Sequence, residues 1–184
     1  MVKVVRAEAV KEAGYSQIRV EPRLSTSNQR RGDVFFVDET RHKHIHYLTD
    51  DVVVHPLCPT HMEHGEARDH LHAISQAVRE KDKAYKQPLE LMRSHASCLA
   101  GLRVVKFTAC AFTSLGFLDK GTVSFINAAA GFAKQRAIAE ARSRPRDDGL
   151  PPQRVSARFR FRLRCNLQAA IMRGNGLLAA EVGL

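Results

Sequence analysis

The sequence predicts an α/β domain in which a central mixed β-sheet is flanked by helices. Three observations predict it. Branched and aromatic apolar runs of strand length recur at 34–37, 45–54 and 102–112. Segments whose apolar residues return every three or four positions lie around them, at 2–13, 62–85 and 123–141. The 184 residues suffice for one core and not for two of ordinary size.

The elements follow in order. Val2, Val5, Ala9 and Ala13 have helical spacing, with Gly14 as the stop. Gln17 to Val20 reads as a short strand that Pro22 leads into a polar loop. Asp33 opens the buried strand Val34-Phe35-Phe36-Val37, and a second strand from Ile45 to Val54 ends at His55-Pro56. Ala67, Leu71, Ile74 and Val78 mark a helix running from Met62 to Tyr85, which Pro88 is expected to bound. A strand over 102–112 and a helix over 123–141 complete a core at 1–142. Pro145, Asp147, Asp148, Gly149, Pro151 and Pro152 make 143–153 the clearest linker. Beyond it, in 154–184, Arg158, Arg160, Arg162 and Arg164 alternate with Phe159, Phe161 and Leu163, as in a strand. Phe159, Leu163, Leu167 and Ile171 form a longer i, i+4 stripe, so a basic helix packed on the core is expected, its arginines snorkelling along the flanks.

Composition narrows the function. The formal net charge of +10 is what a polyanion partner calls for. The first residues lack the pattern of a signal peptide, and no apolar run has the length of a membrane span. An intracellular protein is therefore the expectation. Four scattered cysteines without a C-x-x-C pair read as thiols. Cys58, His61, His64 and His70 are soft and borderline donors within a short span, a zinc alternative whose spacing matches no common module.

Two carboxylates stand out. Asp33 begins one strand and Asp50 sits in the next, so a hairpin brings both to one end of the sheet, while alternation turns Asp51 to the other face. Paired carboxylates suit a hard divalent cation, which offsets charge on a phosphodiester undergoing attack. The bases Arg79, Lys83 and Lys86, with Arg158, Arg160, Arg162 and Arg164, offer a groove for a phosphate backbone.

Arg31-Gly32-Asp33-Val34, followed by Tyr47-Leu48-Thr49-Asp50-Asp51-Val52-Val53-Val54-His55-Pro56, resembles the R-x-D and D-V-T-V-x-H-P segments of the restriction-like endonuclease domain of non-LTR retrotransposon polyproteins, a member of the PD-(D/E)XK group. Ala13-Gly14 with Glu21-Pro22, Lys81 through Tyr85, Phe112 through Gly116 and Met172 through Gly176 resemble further elements in the same order. The resemblance implies a restriction-endonuclease-like αβββαβ core with an extra C-terminal helix. It implies a DNA-nicking activity that needs Mg²⁺ or Mn²⁺, with Asp33 and Asp50 as ligands, Lys81 at the scissile phosphate or attacking water, and Tyr85 beside it. Glu8 or Glu12 would add an outer carboxylate. A reverse transcriptase domain of the parent polyprotein and a nuclear location are implied with it. Gly32 stands where proline is usual, Val52 where lysine or threonine is, and Cys110 where a later acid often is. Those departures point to the alternative of a decayed nuclease fold that binds DNA without cutting it.

Overall fold

A computed structural model describes residues 1–22, 32–39, 45–55, 70–98, 104–143 and 150–182. The elements are α1 (Val2–Ala13), β1 (Ser16–Val20), β2 (Val34–Asp38), β3 (Ile45–Val54), α2 (His70–Cys98), β4 (Val104–Thr113), α3 (Lys120–Ser143) and α4 (Pro152–Val182). The strands form one mixed sheet in the order β1-β2-β3-β4. β1 and β2 pair antiparallel, as do β2 and β3, whereas β3 and β4 run parallel. The domain is thus α/β, a four-stranded mixed sheet flanked by four helices. No helix among the described residues is long and apolar enough to cross a membrane.

Strand alternation divides the core. Val34, Phe36, Cys110 and Phe112 face a large cluster built with α1, α3 and α4, where Val10, Ile126 and Leu167 are fully buried. Leu48 and Val105 face a smaller cluster with Tyr85 and Leu89 of α2. Three helices therefore cover one face and α2 the other. Phe36 and Tyr47 stack across the β2–β3 pair, their centroids 5.0 Å apart, which pins the register.

The ends of the elements have local causes. Gly14 ends α1 at φ 101°, its N–H donating to the Val10 and Lys11 carbonyls. A Cβ there would also meet the Arg136 side chain at 3.0 Å. Asp119 caps α3: Oδ2 accepts from the Gly121 N–H and Oδ1 from the Thr122 N–H. The same Oδ1 accepts the Ala111 N–H, so the cap also ties α3 to β4. This cap explains why α3 starts at Lys120, ahead of the apolar period at Val123 from which the sequence predicts it.

Two expectations need correction. Pro88 does not bound α2, which continues to Cys98 with the proline inside it. A proline inside a helix removes a donor and adds a clash, at a cost of about 3 kcal/mol. Tyr85, Pro88 and Leu89 are buried together, and that apolar stripe carries the helix through. The predicted start of this helix, 62–69, lies outside the described residues. The two basic patches also do not line one groove on one face. Arg79, Lys83 and Lys86 are exposed on α2, and Arg158 to Arg164 lie on α4, with the sheet between their layers. The residues from 154 to 182 do form a helix, with Phe159, Leu163, Leu167 and Ile171 buried and the four arginines exposed. This helix packs on α1 and α3.

A candidate carboxylate site divided by strand β3

Asp33, Asp50 and Asp51 come together where β2 begins and β3 passes its midpoint. The register pairs Val34 with Thr49, and the Thr49 hydroxyl donates to the Val34 carbonyl at 3.1 Å. One more step of regular pleat would set Asp33 opposite Asp50, on the α2 face. The pleat turns irregular first, with the Asp33 N–H donating to the Thr49 carbonyl at 2.9 Å. β2 starts at Val34, and the Asp33 carboxylate takes the place of a backbone acceptor, with Oδ2 receiving the Asp51 N–H at 2.6 Å. Asp33 thereby turns into a cavity of about 290 Å³ that Asp51, Lys3 and Val53 also line, closed by Ala170 and Ile171 of α4.

Asp51 is nine-tenths buried, and its Oδ1 lies 2.5 Å from Nη1 of Arg6. The Arg6 guanidinium is wholly buried, and its carbon sits 4.8 Å over the Phe125 ring. The contact is ionic: none of the buried Arg6 nitrogens or Asp51 carboxylate oxygens has a well-aligned hydrogen bond. Burial pushes the Asp51 carboxyl up to about 6, against the pull of Arg6 and with help from the charges of Asp33 and Asp50. Asp33 is raised as well, first by burial, then by Asp50, while the Asp51 N–H, Lys3 and Arg6 hold it down. These are carboxylates short of compensating charge.

On the other side of β3, Asp50 is buried with Oδ2 at 2.5 Å from Nζ of Lys81. Lys81 and Tyr85 line a separate cavity of about 310 Å³ with Val52. Tyr85 is a core residue there, stacked on Phe107 with centroids 4.5 Å apart. The expected set is therefore divided. Lys81 does lean over Asp50 and Tyr85 does lie one turn on, but Asp33 shares its cavity with Asp51. Asp50 reaches Asp33 only as a nearby charge.

The remaining candidates fall as follows. Glu8 and Glu12 do not enter the acid cavity. They line a cleft with α3 and α4, and Glu12 pairs with Arg162. Gly32 is explained by space: a Cβ there would meet Leu48 Cδ1 at 2.5 Å, and its N–H donates to the Pro22 carbonyl, which proline would forfeit. Cys110, opposite Asp51 in the β3–β4 register, is a buried thiol pushed up to about 12 by burial, so it is uncharged and no substitute for an acid. Among the described residues no group of three metal-ligating side chains forms. Cys58, His61 and His64, and the side chain of His70, lie outside the described residues.

Sequence reasoning missed Arg6 and Lys3. Both are marked in the sequence only as charges on a helix whose other face is apolar, and Arg6 falls on the buried side of α1 with Val10 and Ala13. A cation among buried positions of a helical wheel was the available signal. No family model matches this chain, and no curated protein matches it.

Proposed function

We propose that this chain is a metal-dependent DNA endonuclease domain of the restriction-like kind, derived from a retrotransposon polyprotein. The observation that carries the reading is the shared cavity of Asp33 and Asp51, a half-buried and a nine-tenths buried carboxylate from adjoining strands. Supporting it are the α-β-β-β-α-β order of the first six elements, the resemblance of the segments around Asp33 and Asp50, in which Asp51 takes the place the resemblance gives to Asp50, and a basic surface suited to a phosphate backbone.

The residues present fit one hard cation. Asp51 keeps buried oxygens without hydrogen bonds, both carboxyls are raised first by burial and then by neighbouring carboxylates, and Mg²⁺ binds through one or two carboxylates plus phosphate oxygens. A Mg²⁺ or Mn²⁺ held by Asp33 and Asp51 would supply Lewis-acid charge and a bound water of lowered pKa. The chain's own groups do the rest. Arg6 fixes the orientation of Asp51, and the Asp51 N–H fixes Asp33. Lys3, at the edge of the cavity and paired with Glu21, offers an ammonium to a phosphate oxygen. Lys81 stays with Asp50 behind the strand and supports the site electrostatically. By the same resemblance, the nick would leave a 3′ hydroxyl for a reverse transcriptase domain of the parent polyprotein, in the nucleus.

Arg6 favours one second reading. A guanidinium already neutralising Asp51 leaves less work for a cation, as in a nuclease fold that keeps DNA binding and has lost cleavage. Incubating the chain with supercoiled plasmid and Mg²⁺ or Mn²⁺ separates the two. Nicking that EDTA stops, and that Asp33→Asn and Asp51→Asn reduce to background, is the expected result. Salt-sensitive plasmid binding without nicking under any divalent ion selects the second reading, and equal nicking by all variants removes both carboxylates from the mechanism.

A further inference from the structure

One aromatic side chain stands outside every packing layer. Phe161 is 72 % exposed on α4, while Phe159, Leu163 and Leu167 on the opposite, buried stripe of the helix are at most 6 % exposed. A single exposed apolar residue is ordinary on a protein surface. Its setting is not. Arg158, Arg160 and Arg164 flank it on the exposed side of the helix, Arg158 at the lip of the cleft that Glu8, Glu12 and Glu140 also line. Arg162 is taken up by Glu12. The sequence places no acid on this helix from Pro152 to Ala180. Met172, 71 % exposed, follows eleven residues later on the same side, about 16 Å along the axis at the helical rise.

We propose that the outer face of α4 is a stacking platform for single-stranded nucleic acid, with Phe161 as the stacking side chain and Arg158, Arg160 and Arg164 as contacts to the phosphates. The inference rests on the nucleic-acid reading above and adds the strand state of the ligand. Charge complementarity selects a polyanion. The phenyl ring selects one with free base faces, since a ring standing out from a rigid helix meets such faces only where strands are separated. An anionic membrane is the poorer occupant, because the apolar stripe of α4 is already packed into the core and only isolated apolar residues face outward.

The test is binding in EDTA, where cleavage plays no part and Asp33 and Asp51 are not required. Fluorescent oligothymidylate, a duplex of equal length and phosphatidylserine vesicles are the probes. Phe161→Ala is expected to weaken oligothymidylate binding roughly tenfold and to leave duplex binding within about twofold. The chain has no tryptophan, so Phe161→Trp supplies a single reporter that retains affinity and is quenched by oligothymidylate. Undiminished single-strand binding by Phe161→Ala, equal loss on duplex, or an indole signal from Phe161→Trp that answers vesicles and not oligothymidylate overturns the proposal. If strand binding passes and plasmid nicking is absent, the stacking platform stands and the endonuclease reading falls.

Discussion

The two sides of β3 solve the same problem differently. Asp50 and Asp51 are consecutive, both are buried, and each faces one cation. Behind the strand, Lys81 is about one-third exposed and keeps part of its hydration while reaching Asp50. In front, Arg6 is completely buried, and Asp51 must share its compensation with Asp33. The α2 side is therefore a one-to-one ion pair, whereas the α1 side holds two acids against one sealed guanidinium and the more exposed Lys3, which Glu21 also claims. Only the second sets two carboxylates on one cavity.

The largest expected effect breaks the sealed side. Arg6→Met leaves Asp51 buried beside Asp33 without its cation and should lower stability by about 3–5 kcal/mol in chemical denaturation. Tyr85→Ala is expected to cost about 3 kcal/mol through loss of its stack on Phe107, marking it as packing rather than chemistry. Tyr85→Phe should leave any nicking intact. Acidity sharpens the contrast next. Asp51 titrates at about 6 when folded and near 3.8 when unfolded, so the folded state holds the extra proton between those values. Stability should therefore fall as pH rises from about 4 to 6, by about 2 kcal/mol after discounting residual solvent, and then level off. Divalent-cation affinity runs the opposite way and should climb through about pH 6 as Asp51 ionises. The smallest effect belongs to the α2 side, where Lys81→Met should cost about 1 kcal/mol, because water can follow the shortened chain to Asp50.

Much of the fold was legible because apolar periodicity reports burial directly. β3 was readable at both ends, α1 at its glycine stop, and the basic terminal segment as a helix from its i, i+4 stripe. The start of α3 was not, since it depends on Asp119 reaching the N–H groups of both its own first turn and β4. Pro88 misled because its local cost is visible in sequence while the burial that offsets it is not. At the candidate site, alternation correctly set Asp50 and Asp51 on opposite faces. It failed for Asp33, one residue outside the strand, where the backbone still bonds to Thr49 but the pleat is irregular and the carboxylate turns to accept the Asp51 N–H. A buried arginine on a short helix became meaningful only once Asp51 was seen behind it.

Binding of Mn²⁺, followed by the loss of its free-ion spin-resonance signal, addresses the pairing of Asp33 with Asp51 most directly when Asp33→Asn, Asp50→Asn and Asp51→Asn are compared, each verified as folded by circular dichroism. The shared cavity predicts that Asp51→Asn and Asp33→Asn abolish binding while Asp50→Asn retains it. Retention by Asp51→Asn together with loss in Asp50→Asn would contradict it and return the site to the Lys81 side of the sheet.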